Sequence, residues 1–259
     1  LDGDAAGMQS AAEKATSLGD GMRVASSQLL ATLASGRLRQ ATAMAQEMLR
    51  SPDREALRAQ FAEGFADLSL RSALLGAKST ARSMVDQSLR LAGGGEASWS
   101  LPVTLHLIGQ PAEAQAIEAA LTARFSGDYW YLNASVPRMH AAAALSNRDY
   151  DKALEALAPA QPFERPRPYL SLLRGEALLG AGRPADAVLA FQQTIANRFS
   201  VEPAILNPLA HIWLARAHTK TGDTTAARRA YQDAFAMWKD ADADLPILVD
   251  ARKEYAGLK

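Results

Sequence analysis

Three aspartates at alternate positions, Asp240, Asp242 and Asp244, sit in the stretch KDADADLPIL (239–248). Oxygen ligands at every second position are how a chain wraps a calcium ion. Set on the first, third and fifth positions of an EF-hand loop, they place Leu245 where a glycine must turn. They also place Ala251 where a bidentate glutamate must close the shell. A shell without those two parts is incomplete. The three acids therefore read as the end of one helix, with Asp244 and Pro246 starting the next. No metal site is assigned to them.

Other stretches resemble chemistry at first sight. GAGRPA (180–185) copies a dinucleotide fingerprint with alanine in the last glycine's place. That fingerprint works after a strand, whereas RGEALL before it has helical character. His211 and His218 are seven apart, on one helix face, and no cysteine joins them; metal binding prefers spacings of about three or four. They read as packed histidines, and His106 and His140 stand alone. No nucleophile elbow occurs, and the acidic residues fall singly on polar helix faces. The expectation is a region that is not an enzyme, with no catalytic residue, no cofactor and no metal. Tyr129, Trp130 and Tyr131 are three adjacent aromatics in FSGDYWYLN (125–133). They are either an exposed binding patch or a loop packed onto its neighbours.

The elements that would position any of these residues come from a repeat. A glycine, a small residue five positions on and an apolar residue four beyond that recur as Gly222, Ala227 and Tyr231, and as Gly182, Ala187 and Phe191. Tyr150, Ala153 and Leu157 carry the second half, and Gly109 with Ala114, Gly76 with Ala81 and Gly36 with Ala41 are weaker copies. The anchor alanines 41, 81, 114, 153, 187 and 227 are 40, 33, 39, 34 and 40 residues apart. Two of these intervals match the tetratricopeptide period of about 34 residues, and the others are longer by a helical turn or a loop.

Each unit is expected to be a helical hairpin. In the last one, helix A covers about Pro208 to Thr221, Gly222 supplies the left-handed stop, and Asp223 or Thr224 caps helix B. Helix B sets Ala227, Tyr231, Ala234, Phe235 and Trp238 on one stripe. A single hairpin cannot bury such a stripe, so neighbours must stack. No stretch alternates with period two, so no strand is expected. Hairpins are expected over about 22–52, 56–92, 96–125, 134–161, 168–198 and 208–239, with a capping helix over 246–257 whose Arg252, Lys253 and Glu254 face water. GGG (93–95), PFERPRPY (162–169) and RFSVEPAILNP (198–208) read as connectors inside one array rather than domain boundaries.

Composition agrees with an array of helices and removes some functions. Lys+Arg and Asp+Glu balance at 28 each, which leaves no basic field to recruit nucleic acid. The 48% hydrophobic share is ample for a core, and there is no cysteine to make disulfides or thiolate sites. No run of apolar residues is long enough to span a membrane as a helix. A start at Leu1, without methionine or a leader pattern, suggests a piece of a longer protein.

The stretches PYLSLLRGEALLGAGRPADAVLAFQQTI, LAHIWLARAHTKTGDTTAARRAYQDAFAMWKDADADLPIL and ARKEYAGL resemble the C-terminal tetratricopeptide region of large bacterial signalling proteins. In that group the region follows a serine/threonine kinase domain or a winged-helix regulator domain, sometimes with a membrane helix between. The resemblance covers Arg165 to Lys259; between Leu1 and Gly109 only the helix pattern carries it. It implies an all-α, right-handed solenoid of about six hairpins that acts as a non-catalytic interaction or sensory module. It implies a place in the bacterial cytoplasm or on the outer side of a membrane-anchored protein. A protein or peptide would lie in the concave groove, and a homodimer is a further possibility. By position, the groove residues are Trp99, His106, Arg138, Tyr169, Glu176, Arg216 and Lys220. Positions matching the carboxylate clamp of chaperone-binding relatives are here mostly apolar or small.

Overall fold

The computed structural model describes residues 21–50, 55–93, 98–197 and 204–258. Parts of the expected units at 51–52, 96–97 and 198, and of the connectors at 94–95 and 198–203, lie outside the described residues. Among those residues the chain is all-helical, with thirteen α-helices and no strand. They form successive antiparallel pairs: α1 (Gly21–Ala34) with α2 (Leu38–Met48), α3 (Arg58–Leu74) with α4 (Lys78–Ala92), and α5 (Ser100–Ile108) with α6 (Pro111–Arg124). The series continues with α7 (Val136–Ser146) and α8 (Tyr150–Leu157), α9 (Pro168–Gly180) and α10 (Pro184–Ala196), and α11 (Leu206–Thr221) and α12 (Thr224–Met237). A last helix, α13 (Pro246–Gly257), follows α12.

Local chemistry explains the boundaries. Gly36, Gly76, Gly109, Gly182 and Gly222 all hold positive φ between the two helices of a hairpin, where an L side chain is strained. The fourth hairpin lacks the glycine, and Arg148 takes the left-handed conformation there at φ 58°. Asp223 Oδ1 accepts from Ala226 N at 2.9 Å and caps α12, while Pro111, Pro168, Pro184 and Pro246 occupy first turns, where a missing N–H costs nothing.

The packing logic is visible in the six anchor alanines. Ala41, Ala81, Ala114, Ala153, Ala187 and Ala227 are all 0% exposed, each near the start of the second helix of its hairpin. They let paired helices approach closely, and larger residues one turn later, such as Val85, Leu157, Phe191 and Tyr231, fill the space beyond. Across hairpins, odd-numbered helices stack on one another: α3 on α5, α5 on α7, α7 on α9, and α9 on α11. Buried hydroxyls tie the layers, as where Ser69 Oγ and Thr104 Oγ1 meet at 3.1 Å between α3 and α5.

The two ends of this series meet. Trp238, 1% exposed, donates its indole N–H to Ala34 O at 2.9 Å. Asp242 N donates to Gly36 O at 3.1 Å, and Asp242 Oδ2 accepts from Arg39 N at 2.8 Å. Ile247 N donates to Leu75 O at 3.3 Å, so the turn of the second hairpin joins the same contact. The segment after α12 thus clasps the first two hairpins, which lie some two hundred positions earlier in sequence.

Two expectations for this segment are corrected. Asp244 does not start α13: the residue before that helix is Leu245, with no side-chain cap, and Asp244 Oδ2 pairs with Arg39 at 3.1 Å. Glu254 does not simply face water: it accepts both Arg216 Nε and Nη2, at 2.9 and 3.0 Å. The aromatic insertion is also more regular than a loop. Its Tyr131–Ser135 part is a π-helical turn leading into α7, with Tyr131 N held by Asp128 Oδ1 at 2.7 Å.

Candidate functional site

The seven groove residues expected from sequence fall on the odd-numbered helices or just before them. Trp99 precedes α5 and His106 lies on it; Arg138 is on α7, Tyr169 and Glu176 on α9, and Arg216 and Lys220 on α11. They form three groups and one outlier.

The first group is a stack. The Arg138 guanidinium lies 4.0 Å from the centre of the Trp99 ring and 5.5 Å from that of Tyr169. A guanidinium within about 6 Å of two aromatic faces gains from both ring quadrupoles, more so when water is excluded. Arg138 is 2% exposed and Tyr169 3%, while Trp99 keeps part of its surface. The stack therefore fixes α5, α7 and α9 to each other and shows solvent mainly its tryptophan.

The second group is electrostatic. Arg216 on α11 grips Glu254 of α13 with two nitrogens, and its guanidinium lies 4.6 Å from the Trp213 ring centre. Tyr231 OH donates to the same glutamate. Burial pushes the Tyr231 phenol up, and the bond to Glu254 adds to that rise. Glu176, on α9, retains some exposure, yet surrounding atoms push its carboxyl up to about 8, against a smaller downward pull from Arg216. A carboxyl that titrates near neutral pH beside a fixed guanidinium can hold or release a proton as a ligand's charge demands. Lys220 lies exposed in the last turn of α11, beyond this cluster.

His106 belongs to a third group, inside the molecule. It is 4% exposed, and among the described residues its Nε2 has no hydrogen-bond partner. Burial pushes its pKa down, with Glu118 opposing and His140 adding to the fall. His140 Nε2 meets Glu118 Oε1 at 2.7 Å, and that bond holds its pKa up.

Several residues missed in sequence complete these clusters. Trp213 lies three positions before Arg216 and seven before Lys220, so all three share one face of α11, a spacing that was readable. Glu254 and Tyr231 were not readable as partners, because α13 folds back across α12 only in three dimensions. Of the aromatic trio, Tyr131 is packed at 7% exposure, whereas Tyr129 and Trp130 remain 66% and 53% exposed over the Phe163 ring. Among the described residues no helix is long and apolar enough to cross a membrane. No family model matches the chain, and no curated protein is significantly similar to it.

Proposed function

We propose that this chain is a non-catalytic interaction module, a tetratricopeptide-like right-handed solenoid that binds a protein or peptide along its odd-numbered helices. One observation carries the reading: aromatic and arginine side chains on successive odd helices are already locked in place by the chain itself. Trp99 lies against Arg138, and Trp213 against Arg216, which Glu254 holds by its fork. Side chains ordered before binding lose less entropy on contact, and Trp and Arg are the types enriched at binding hot spots. Glu176 and Lys220 would set the charge pattern beside them. The resemblance of Arg165 to Lys259 to the signalling group supports a parent of the serine/threonine-kinase type, with a winged-helix regulator as the alternative.

The test is selection of displayed peptides on the immobilised chain, followed by binding to Trp99→Ala and Lys220→Ala variants. The reading expects selected peptides to bind each variant at least about tenfold more weakly, the loss of one hot-spot contact. Melting temperatures should change little for Lys220→Ala, which is exposed. Peptides that bind both variants as they bind the wild type would overturn the groove assignment.

A further inference from the structure

Around α9 and α11, the charged side chains mostly have partners within the chain. Arg216 Nε and Nη2 both go to Glu254, and the guanidinium lies over the Trp213 ring. Glu254 also accepts from Tyr231 OH. Arg174, on α9, is taken by Glu164 Oε1 and Leu157 O.

Glu176 is different. Its carboxyl is half-buried on α9, and no hydrogen bond reaches it among the described residues; loss of water and the pull of Arg216 from α11 are what act on it. A carboxylate offers about four acceptor sites, and a fold gains nothing by leaving all of them dry and unfilled. Arg216 cannot turn to fill them without giving up its fork on Glu254, and Lys220, one turn further along α11, is exposed. Leu179, three positions after Glu176 and also half-buried, borders the carboxyl with apolar surface on the same side of the helix. Unfilled acceptor sites beside an aliphatic side chain suit a lysine or arginine, which has a charged head on an apolar stem.

We infer that Glu176 sets the specificity of the groove by anchoring a lysine or arginine side chain of the bound peptide, whose stem lies along Leu179. The inference rests on the peptide-binding reading above and adds to it the charge of the partner. In the free protein the carboxyl titrates at about 8, so at neutral pH an arriving cation displaces a proton, which passes to the buffer. Among the described residues of the helices packed against α9, Arg216 is the charged group that acts on Glu176. Its repulsion of the arriving cation is offset by Glu254.

Random peptides displayed on phage, selected on the immobilised chain at pH 6 and at pH 9, test it. At pH 9 the selected peptides should share a lysine or arginine at one position. Such a peptide, made with an acetylated N terminus, should bind at least about tenfold more tightly at pH 9 than at pH 6. At neutral pH its binding should release a proton, read by calorimetry in buffers of different ionisation enthalpy. Glu176→Gln should remove both the pH dependence and the loss caused by replacing the basic residue with norleucine. Selected peptides that bind Trp99→Ala more weakly, yet bind Glu176→Gln as they bind wild type, would overturn this assignment and leave the groove reading standing. Peptides that share an acidic residue, or that bind more tightly as pH falls, would do the same. Selection that yields no peptide at either pH would overturn the groove reading itself, and this inference with it.

Discussion

Glu176 is the residue whose chemistry departs furthest from its type. Its carboxyl is raised from an ordinary value near 4.5 to about 8 by burial, so the folded protein favours the protonated form. The sign follows from linkage: the folded state holds this proton where the unfolded chain has released it, so its contribution is fully present below about 4.5 and is lost as pH rises toward 8. Arg216 limits the loss, because it attracts the ionised form. Glu176→Gln removes the titration with little change in shape. The melting temperature of the variant minus that of wild type should therefore climb between pH 5 and pH 9. A difference that stays flat across that range would mean Glu176 titrates as an ordinary surface carboxyl. The aspartates of 240–244 carry the opposite lesson. Their alternate spacing drew attention as a ligand pattern, yet Asp242 serves as an acceptor for the first turn of a helix two hundred positions away.

At the level of helices, the close approaches are set by small residues, and the mid-helix Gly175 shows what one added carbon would meet. Adding a Cβ to Gly175 of α9 would bring it 2.3 Å from Phe191 Cε1, a ring on α10 that is 0% exposed and has no room to move. Alanine gains about 1 kcal/mol in helix propensity there, but overpacking a fixed ring costs about 1–3 kcal/mol, and full burial puts it at the upper end. Gly175→Ala should melt lower than wild type, and Phe191→Leu in the same chain should recover part of the loss, since the two positions are in contact. Equal stability of Gly175→Ala and wild type would show that α9 and α10 are not so close. This level of the fold was the most legible in sequence. The anchor alanines, the positive-φ glycines and the period of about 3.6 all report local geometry that a hairpin must satisfy wherever it sits. The fourth hairpin was readable only in its second half, because Arg148 stands where the glycine would have announced the turn. The candidate site was legible as helix faces and no further. Heptad spacing puts Trp99 with His106 and Tyr169 with Glu176, but burial then separates His106 from the exposed face. The glutamate that engages Arg216 comes from an element whose docking no local pattern encodes.

For the molecule as a whole, the decisive feature is that its ends are joined. Among the described residues, α1–α2 borders a cavity on its α3 side and is bonded to the segment at 238–247. That segment supplies the indole of Trp238 to Ala34 and the carboxylate of Asp242 to Arg39 N. The helix α2 has no side-chain cap of its own, since Arg37 precedes it. A carboxylate at a helix start satisfies an orphan N–H and the positive end of the helix dipole, together worth about 0.5–2 kcal/mol. Gly36 is needed there for two reasons: its φ is 76°, and a Cβ would sit 2.6 Å from that of Ala241. Sequence could not reveal this closure, because an aspartate capping its own helix and one capping a helix elsewhere look the same. Hydrogen exchange reads it directly. In Asp242→Ala the amides of Arg39 to Ala41 and those of 238–247 should exchange faster by about 2- to 30-fold, the range that follows from losing such a cap. The amides of α9 and α10, remote from the clasp, should keep their wild-type rates. An open array, in which the last helices touch only their neighbours, gives no change at Arg39 when residue 242 is altered. A uniform acceleration across all helices would instead mean that the clasp holds the entire fold in one cooperative unit, and that the first hairpin has no separate stability to lose.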